Sequence, residues 1–150
     1  MKDLPLEPGE EEIEPSEELL FRQITVHLMN NGKPSTSSFG PATSDKGKPS
    51  FSRESVVSAK DAQTWHNQHA KSESLGVWSV SVDEAASTGL RTIDDSAVPP
   101  APWSQKAPGH CYVDYRAMEK RAERECRAVL LRFALKRGQV PTGDDEEPTA

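Results

Sequence analysis

Four residues with metal-ligating or nucleophilic side chains stand at two places in this sequence. His66 and His69 are three residues apart in a segment with helical spacing, and His110 is followed directly by Cys111. Imidazole and thiolate are ligands that zinc prefers, so these four side chains could in principle complete a zinc site. A histidine pair at this spacing on a surface helix is usually incidental, however, and we predict no metal and no other cofactor.

The two cysteines offer little reactivity. Cys111 lies in a predicted strand, and adjacent strand residues point to opposite faces, so His110 cannot activate its thiol. Cys126 falls on the apolar side of a predicted helix, and neither cysteine belongs to a Cys-x-x-Cys pair. We predict that both are reduced and act as small buried hydrophobic residues.

An arginine, a serine-containing strand and a glutamate follow one another at Arg22, Ser50-Phe51-Ser52 and Glu84. This order resembles that of ADP-ribosyltransferases. The resemblance implies that Arg22 holds an NAD phosphate, that the Ser52 strand lines the nicotinamide pocket and that Glu84 steadies the ribose. The sequence lacks the extended serine-threonine-serine motif and has Val82 where a second Glu or Gln would stand. The structural alternative makes Arg22 a partly buried cation and Glu84 a helix cap.

The net charge of -6 is unevenly distributed along the chain. Residues 1 to 18 carry -7 and residues 138 to 150 carry -4, whereas residues 19 to 137 carry +5. Low apolar content and several prolines predict that both acidic ends are disordered. No apolar run is long enough to cross a bilayer and the acidic start does not resemble a signal peptide, so a cytoplasmic, non-membrane protein is favoured.

Two periodicities predict the elements that position these residues. Alternation predicts strands over 19 to 28, 50 to 53, 77 to 82 and 110 to 115, with the third as the central strand and a brief strand or turn at 90 to 93. Arg22 falls on the apolar side of the first strand. Helical spacing predicts a surface helix capped by Ser55 or Ser58, and a short helix between 83 and 89.

A long helix from about Arg116 to Arg137 is the strongest helical pattern in the chain. Its apolar stripe, which we expect to pack on the sheet, consists of Met118, Ala122, Cys126, Val129, Leu130 and Phe133. The predicted fold class is α+β, with a single domain at 19 to 137 and disordered tails at 1 to 18 and 138 to 150. In this domain a small, mostly antiparallel sheet has the long C-terminal helix on one face and a shorter helix beside it.

Two long loops rich in glycine and proline are candidate binding surfaces. Phe39 is the only aromatic residue of the first loop, at 30 to 49, and would pin that loop to the body. Trp103 in the second loop, at 94 to 109, is either a plug or an exposed recognition residue. The plug is favoured because large aromatic side chains are mostly buried.

Basic residues on the outer face of the last helix form a further candidate binding surface. They include Arg116, Lys120, Arg124 and Arg127. This face could meet an acidic protein or nucleic-acid phosphates, or could be solvated and paired with glutamates of the same helix. Interleaved aromatic residues and a known docking motif are missing and the flanks are acidic, so a protein partner is favoured over nucleic acid.

The segments NGKPSTSSFGP, GKPSFSR, GVWSVSVDE and HCYVDYR carry a resemblance to a group of small bacterial proteins, over about residues 20 to 116. The resemblance implies a shared domain and no particular activity. We therefore predict a non-catalytic bacterial accessory protein that binds a protein partner through the loops or the basic helix face, and a partner encoded nearby is one candidate. The alternative is an enzyme or binding domain that uses Arg22, Ser52 and Glu84 on NAD or a nucleotide. The oligomeric state stays open.

Overall fold

Short alternating segments form the strands of this protein, of which the computed structural model describes residues 4–143. The strands are β1 (Glu11–Glu12), β2 (Leu19–Gln23), β3 (Met29–Asn30), β4 (Lys33–Pro34), β5 (Ser50–Arg53), β6 (Val77–Ser81), β7 (Arg91–Asp94) and β8 (His110–Asp114). The helices are α1 (Ala59–His69), α2 (Val82–Ser87) and α3 (Lys120–Arg137). Three short 3-10 turns lie at Val26–Leu28, Thr36–Phe39 and Thr43–Asp45.

Within these residues, six strands form one antiparallel sheet in the order β1-β7-β8-β5-β2-β6. β3 and β4 form a separate hairpin. Its turn residues, Asn31 and Gly32, both have the positive φ that a tight two-residue hairpin requires. The predicted α+β class is confirmed, with a mostly antiparallel sheet, a long C-terminal helix and shorter helices.

The apolar seam between α3 and the sheet is the main core. Cys126, Leu130 and Ala134 of α3 are buried there, and Met118 and Phe133 pack against the same cluster. The sheet contributes alternate side chains, which include Leu20, Phe51, Trp78, Val80, Cys111 and Val113. Burial of such side chains is the dominant favourable contribution to folding, so this seam holds the long helix across the sheet.

The long helix begins later than its sequence pattern suggests. The Tyr115 carbonyl accepts a hydrogen bond from the Met118 amide (2.9 Å), which closes a turn before the helix, and Glu119 is the N-cap. Arg116 and Met118 therefore lie outside the helix. At the other end Gly138 stops it with a positive φ, as predicted.

The opposite face of the sheet carries a smaller core. Phe21 and Val77 are buried there against Ala59 of α1, whose N-cap Ser58 accepts a hydrogen bond from the Asp61 amide (3.0 Å). The prediction that the shorter helix lies beside the long one is therefore wrong for α1. Phe21 and Val77 point away from the α3 seam, so α3 cannot bury them and α1 packs against them instead.

β6 is an edge strand, so the prediction that it is central is wrong. All five of its residues are buried, including Ser79 and Ser81, and burial on both faces is typical of a central strand. Helices on both faces of the sheet bury β6. Its free edge is partly closed by a main-chain hydrogen bond that the Val140 amide donates to the Val77 carbonyl (2.8 Å). This bond also gives the start of the predicted C-terminal tail a fixed partner.

The predicted disorder before residue 19 is wrong for the described part of that segment. β1 pairs with β7, and Ile13 is 9% exposed and belongs to the main core. The Glu18 carboxylate binds Arg53 (2.8 Å), so acidic residues of this segment have partners in the sheet. Residues 1–3 and 144–150, on which the rest of the tail predictions fall, lie outside the described residues. Across residues 4–143, no helix has the length and apolar character needed to cross a membrane.

Candidate active site

A cleft of about 520 Å³ opens on the sheet face that α1 covers only in part. One wall is α1, and the other is the proline-rich segment 95–109 that joins β7 to β8, which we call the β7–β8 loop. The floor comes from β2, β5 and β8 and includes Phe21, Gln23, Ser50, Ser52 and His110. Enclosed, largely apolar clefts with a few convergent polar groups are the usual sites of small-molecule binding.

Two side chains that line this cleft, those of Ser50 and His110, form a hydrogen-bonded chain with Asp95. Ser50 Oγ lies 3.0 Å from His110 Nε2, and His110 Nδ1 lies 2.6 Å from Asp95 Oδ1. An ionised carboxylate only accepts hydrogen bonds, so Nδ1 of the neutral ring carries the proton and Nε2 can accept the hydroxyl proton of Ser50. The same order of nucleophile, base and orienting carboxylate activates serine in hydrolases on several unrelated folds.

The register of the sheet explains why these three residues meet. Ser50 and His110 are the first residues of β5 and β8, and Asp95 directly follows β7. His110 is paired with Ser52 across the β5–β8 ladder, which makes Ser50 its diagonal neighbour on the same face. On the other side of β8, Asp94 is paired with Cys111, so the chain leaves β7 beside His110.

The three residues differ in exposure in a way that suits their roles. Ser50 is exposed to the cleft, whereas the side chains of His110 and Asp95 are 21% and 15% exposed. Lys106 Nζ donates to the carbonyl oxygens of Asp95 and Val98 (both 2.7 Å) and lies 3.8 Å from Asp95 Oδ2. The lysine therefore holds the start of the β7–β8 loop in place.

Gln23 is a buried polar side chain without a partner in this cleft. Both its Nε2 and its Oε1 are closed off from solvent and have no hydrogen-bond partner. β2 and β5 pair Leu20 with Arg53 and Phe21 with Ser52, and the same register carried two residues further places Gln23 opposite Ser50. Unpaired buried amide groups are costly, so they are rare in proteins and each one calls for an explanation.

Arg22 lies at the edge of the cleft as a fixed cation. Its Nε donates to the Ser38 carbonyl (2.7 Å), one terminal nitrogen donates to the Ser50 carbonyl (2.9 Å), and its guanidinium lies over the Phe51 ring at 5.4 Å. Burial lowers the pKa of this guanidinium, and the negative charge of Asp45 partly offsets that effect. Arg22 thus fixes the main chain at Ser50 and ties it to the first long loop.

No protein-family model, curated protein or solved structure matches this chain.

The three residues of the ADP-ribosyltransferase-like alternative do not come together. Arg22 and Ser52 both line the cleft, but Glu84 lies at the start of α2 and is not among the lining residues. Its carboxylate accepts hydrogen bonds from the Ser81 amide (2.8 Å) and from Arg137 (2.8 and 2.9 Å). Burial alone would raise the pKa of this carboxyl, but the bonds from Arg137 and Ser81 outweigh it and hold the pKa below its usual value. Glu84 therefore acts as the helix cap that the structural alternative describes.

The histidines and cysteines considered for metal or thiol chemistry have structural partners. His66 Nε2 lies 2.8 Å from the Ser72 carbonyl, and His69 stacks on Trp65 with ring centres 4.1 Å apart. Cys111 and Cys126 are free and buried, as predicted, and burial raises the pKa of both thiols. Among residues 4–143 there is no cluster of three or more histidine, cysteine, aspartate or glutamate side chains that could hold a metal ion.

The predicted binding aromatics have opposite environments. Phe39 is fully buried and anchors the first loop in the main core. Trp103 is 86% exposed, so the plug that the sequence favours is wrong. The β7–β8 loop instead contacts the body through other residues, which include Pro100, Lys106 and Ala107 in the cleft wall.

The four predicted basic residues of the last helix divide into two pairs. Arg116 precedes the helix and donates to Asp114 (2.8 Å), and Arg127 binds Glu123 and the Pro41 carbonyl, so neither is a free surface charge. Lys120 and Arg124 are exposed and line a second groove of about 730 Å³ with the first long loop. The predicted basic face is therefore smaller than the sequence suggests.

The Ser50–His110–Asp95 chain is the feature that the sequence does not reveal. The sequence suggests His110 only as a partner of Cys111 or of the His66 and His69 pair, Ser50 only as part of a strand, and Asp95 only as a loop residue. Their meeting depends on β8 lying between β5 and β7, which is a long-range property of the sheet. The available signal was positional, because all three residues stand at strand ends, where polar groups collect at one rim.

Proposed function

We propose that this protein is a serine-dependent hydrolase of small acyl compounds, with Ser50 as nucleophile, His110 as general base and Asp95 as the residue that orients the imidazole. The observation that carries the proposal is the continuous hydrogen-bonded chain of these residues, with the exposed hydroxyl facing a cleft. The protein is proposed to act in the bacterial cytoplasm.

The proposed reaction follows the usual two stages of acyl transfer. Ser50 Oγ attacks the carbonyl carbon of an ester or thioester as His110 Nε2 takes the hydroxyl proton. His110 then gives this proton to the departing alcohol or thiol, which leaves an acyl group on Ser50. A water molecule, deprotonated by the same imidazole, hydrolyses the acyl-serine and restores the hydroxyl. Asp95 keeps the ring in the required tautomer throughout.

The lining of the cleft supports an uncharged or anionic acyl substrate with an apolar part. Phe21, Leu28 and Trp65 supply apolar and aromatic surface, and no residue within 4–143 that lines the cleft is acidic. The two basic lining residues, Arg22 and Lys106, already donate to main-chain carbonyls. A cationic substrate would find no carboxylate to balance it, so it would be disfavoured.

Hydrolysis of a panel of p-nitrophenyl esters tests the proposal. Wild-type protein should hydrolyse at least the short-chain esters, and Ser50→Ala should abolish the reaction. Asp95→Asn should lower kcat by about 10²- to 10⁴-fold, because the amide stabilises the wrong tautomer of His110. Equal hydrolysis by wild-type protein and Ser50→Ala would refute the proposal.

A second candidate function, binding of a protein partner, is favoured by the exposure of Trp103. Trp103 is 86% exposed in the loop that forms one wall of the cleft, and exposed tryptophans are enriched at binding hot spots. A partner recovered from native cell extract by wild-type protein should be lost with Trp103→Ala and kept with Leu75→Ala, which alters an exposed apolar side chain elsewhere. Recovery of the same proteins by both variants would exclude Trp103 from the interface.

A further inference from the structure

The Gln23 carboxamide is a buried polar group of the cleft that has no hydrogen-bond partner among residues 4–143. Nε2 can donate two hydrogen bonds and Oε1 can accept two, yet neither atom has a partner. Other polar groups of the floor and wall are engaged, since His110 binds Ser50 and Asp95, and Lys106 binds carbonyl oxygens. Among the described residues that line the cleft, the buried side-chain polar atoms without a partner therefore belong to Gln23.

Gln23 is also close to the proposed nucleophile. Both side chains line the cleft, and the β2–β5 register, continued two residues beyond its last pair (Phe21 with Ser52), would set Gln23 opposite Ser50. In that register the two Cβ atoms would be about 5 Å apart, so a group bound by the carboxamide would lie within one small-molecule length of Ser50 Oγ. A ligand held at Gln23 would thus reach the proposed reaction centre.

A carboxamide presents one donor and one acceptor side by side in a plane. The group that matches both at once is another amide edge, in which an N–H stands beside a C=O. We infer that Gln23 recognises such an edge in the ligand, either a primary carboxamide or a cyclic amide. The inference rests on the proposed function for the position of the reacting ester, and it names the part of the substrate that binds beside it.

The surroundings of Gln23 suit a flat amide. Phe21 of the same strand and Trp65 of α1 both line the cleft, so aromatic surface is available from the sheet and from the helix. In the ligand-free protein the carboxamide is shielded from solvent. It makes no hydrogen bond that would have to break, so rotation about its terminal side-chain bonds towards the cleft loses no hydrogen bond.

Benzamide and acetophenone form a matched pair of probes for this inference. They share the ring and the carbonyl, and differ in having an amino group or a methyl group. Binding is measured by ligand-observed NMR titration with wild-type protein, Ser50→Ala and Gln23→Leu. Wild-type protein and Ser50→Ala should both bind benzamide about 10-fold more tightly than acetophenone, which corresponds to the gain from hydrogen bonds to a buried group. Gln23→Leu should bind both probes equally.

The outcome separates this inference from the proposed function. Equal binding of the two probes to wild-type protein, or a preference for benzamide that survives in Gln23→Leu, would overturn the role of Gln23. The NMR titrations are also carried out with Ser50→Ala. A preference for benzamide that depends on Gln23 would therefore support the role of Gln23 even if Ser50 proved unreactive. Gln23→Met, which keeps the length of the side chain and removes the carboxamide, serves as the second variant: it should also lose the preference, and a preference retained there would overturn the inference.

Discussion

Replacement of Gln23 by leucine should stabilise the ligand-free protein. The substitution keeps the approximate size of the side chain and removes two buried polar atoms that have no hydrogen-bond partner. It also places an apolar side chain near Phe21 and Val77, which already form a buried cluster on this face. Most core substitutions destabilise a protein, so a gain in stability here is an unusual expectation.

The expected size of the gain follows from the cost of leaving polar groups unpaired. Each buried unsatisfied donor or acceptor costs about 1 to 3 kcal/mol, and imperfect packing of the branched leucine side chain takes back part of this. We expect a net increase of about 2 kcal/mol in the free energy of unfolding. For a domain of this size that corresponds to a rise of about 4 to 8 °C in Tm.

Urea unfolding followed by circular dichroism, together with a thermal scan, measures the gain. Gln63→Leu is the matched control, because the Gln63 carboxamide on α1 donates to the carbonyl and the hydroxyl of Ser74 (3.5 and 3.4 Å). The control should be neutral or destabilised. A loss of more than about 1 kcal/mol in Gln23→Leu would mean that the carboxamide has partners in solution, and would refute the reasoning.

Three further predictions concern the ion pairs that hold the sheet and α2. Asp114→Asn should lower the free energy of unfolding by about 3 kcal/mol in urea titrations, because this buried carboxylate accepts from two arginines; a change below about 1 kcal/mol would contradict the geometry. Burial alone would raise the pKa values of Glu18, Asp94 and Asp114, but hydrogen bonds outweigh burial and lower these pKa values below their usual range. The three carboxylates therefore contribute fully to stability above the unfolded-state pKa near 4, and this contribution is lost as the pH falls below that value. Unfolding midpoints should therefore drop between about pH 4 and pH 2, and a midpoint that stays constant there would contradict the lowered values. Glu84→Ala should lower the free energy of unfolding by about 1 to 2 kcal/mol, because the capping box of α2 is lost, and should leave ester hydrolysis unchanged. Loss of activity at unchanged stability would instead favour the NAD-dependent alternative.

The sequence predicts the elements of this fold better than their arrangement. β5, α1 and the apolar stripe of α3 follow from local periodicity and from caps such as Ser58, which depend on neighbouring residues. The position of β6 at the edge does not, because burial by helices on both faces produces the same apolar pattern as a central position. Likewise, the acidic segment at Glu11–Glu12 looks disordered by composition, and only the available edge of β7 orders it.

The candidate site illustrates the same distinction. Arg22 was correctly predicted on the apolar side of its strand, since alternation alone decides that. Ser50, His110 and Asp95 are far apart in sequence, and their contact depends on which strands are neighbours in the sheet. Trp103 was expected to be buried on general grounds, but the β7–β8 loop is held by Lys106 and by residues of the cleft wall, which leaves the indole exposed.

Covalent labelling with a fluorophosphonate tests the central claim most directly, because these reagents phosphonylate serine hydroxyls that an adjacent base activates. Intact-mass and peptide analysis should find a single phosphonyl group on Ser50 of wild-type protein. Labelling should persist in Ser52→Ala, which removes a hydroxyl from the same strand, and vanish in Ser50→Ala and His110→Gln. Wild-type protein that stays unlabelled, or a label that remains in Ser50→Ala, would contradict the account.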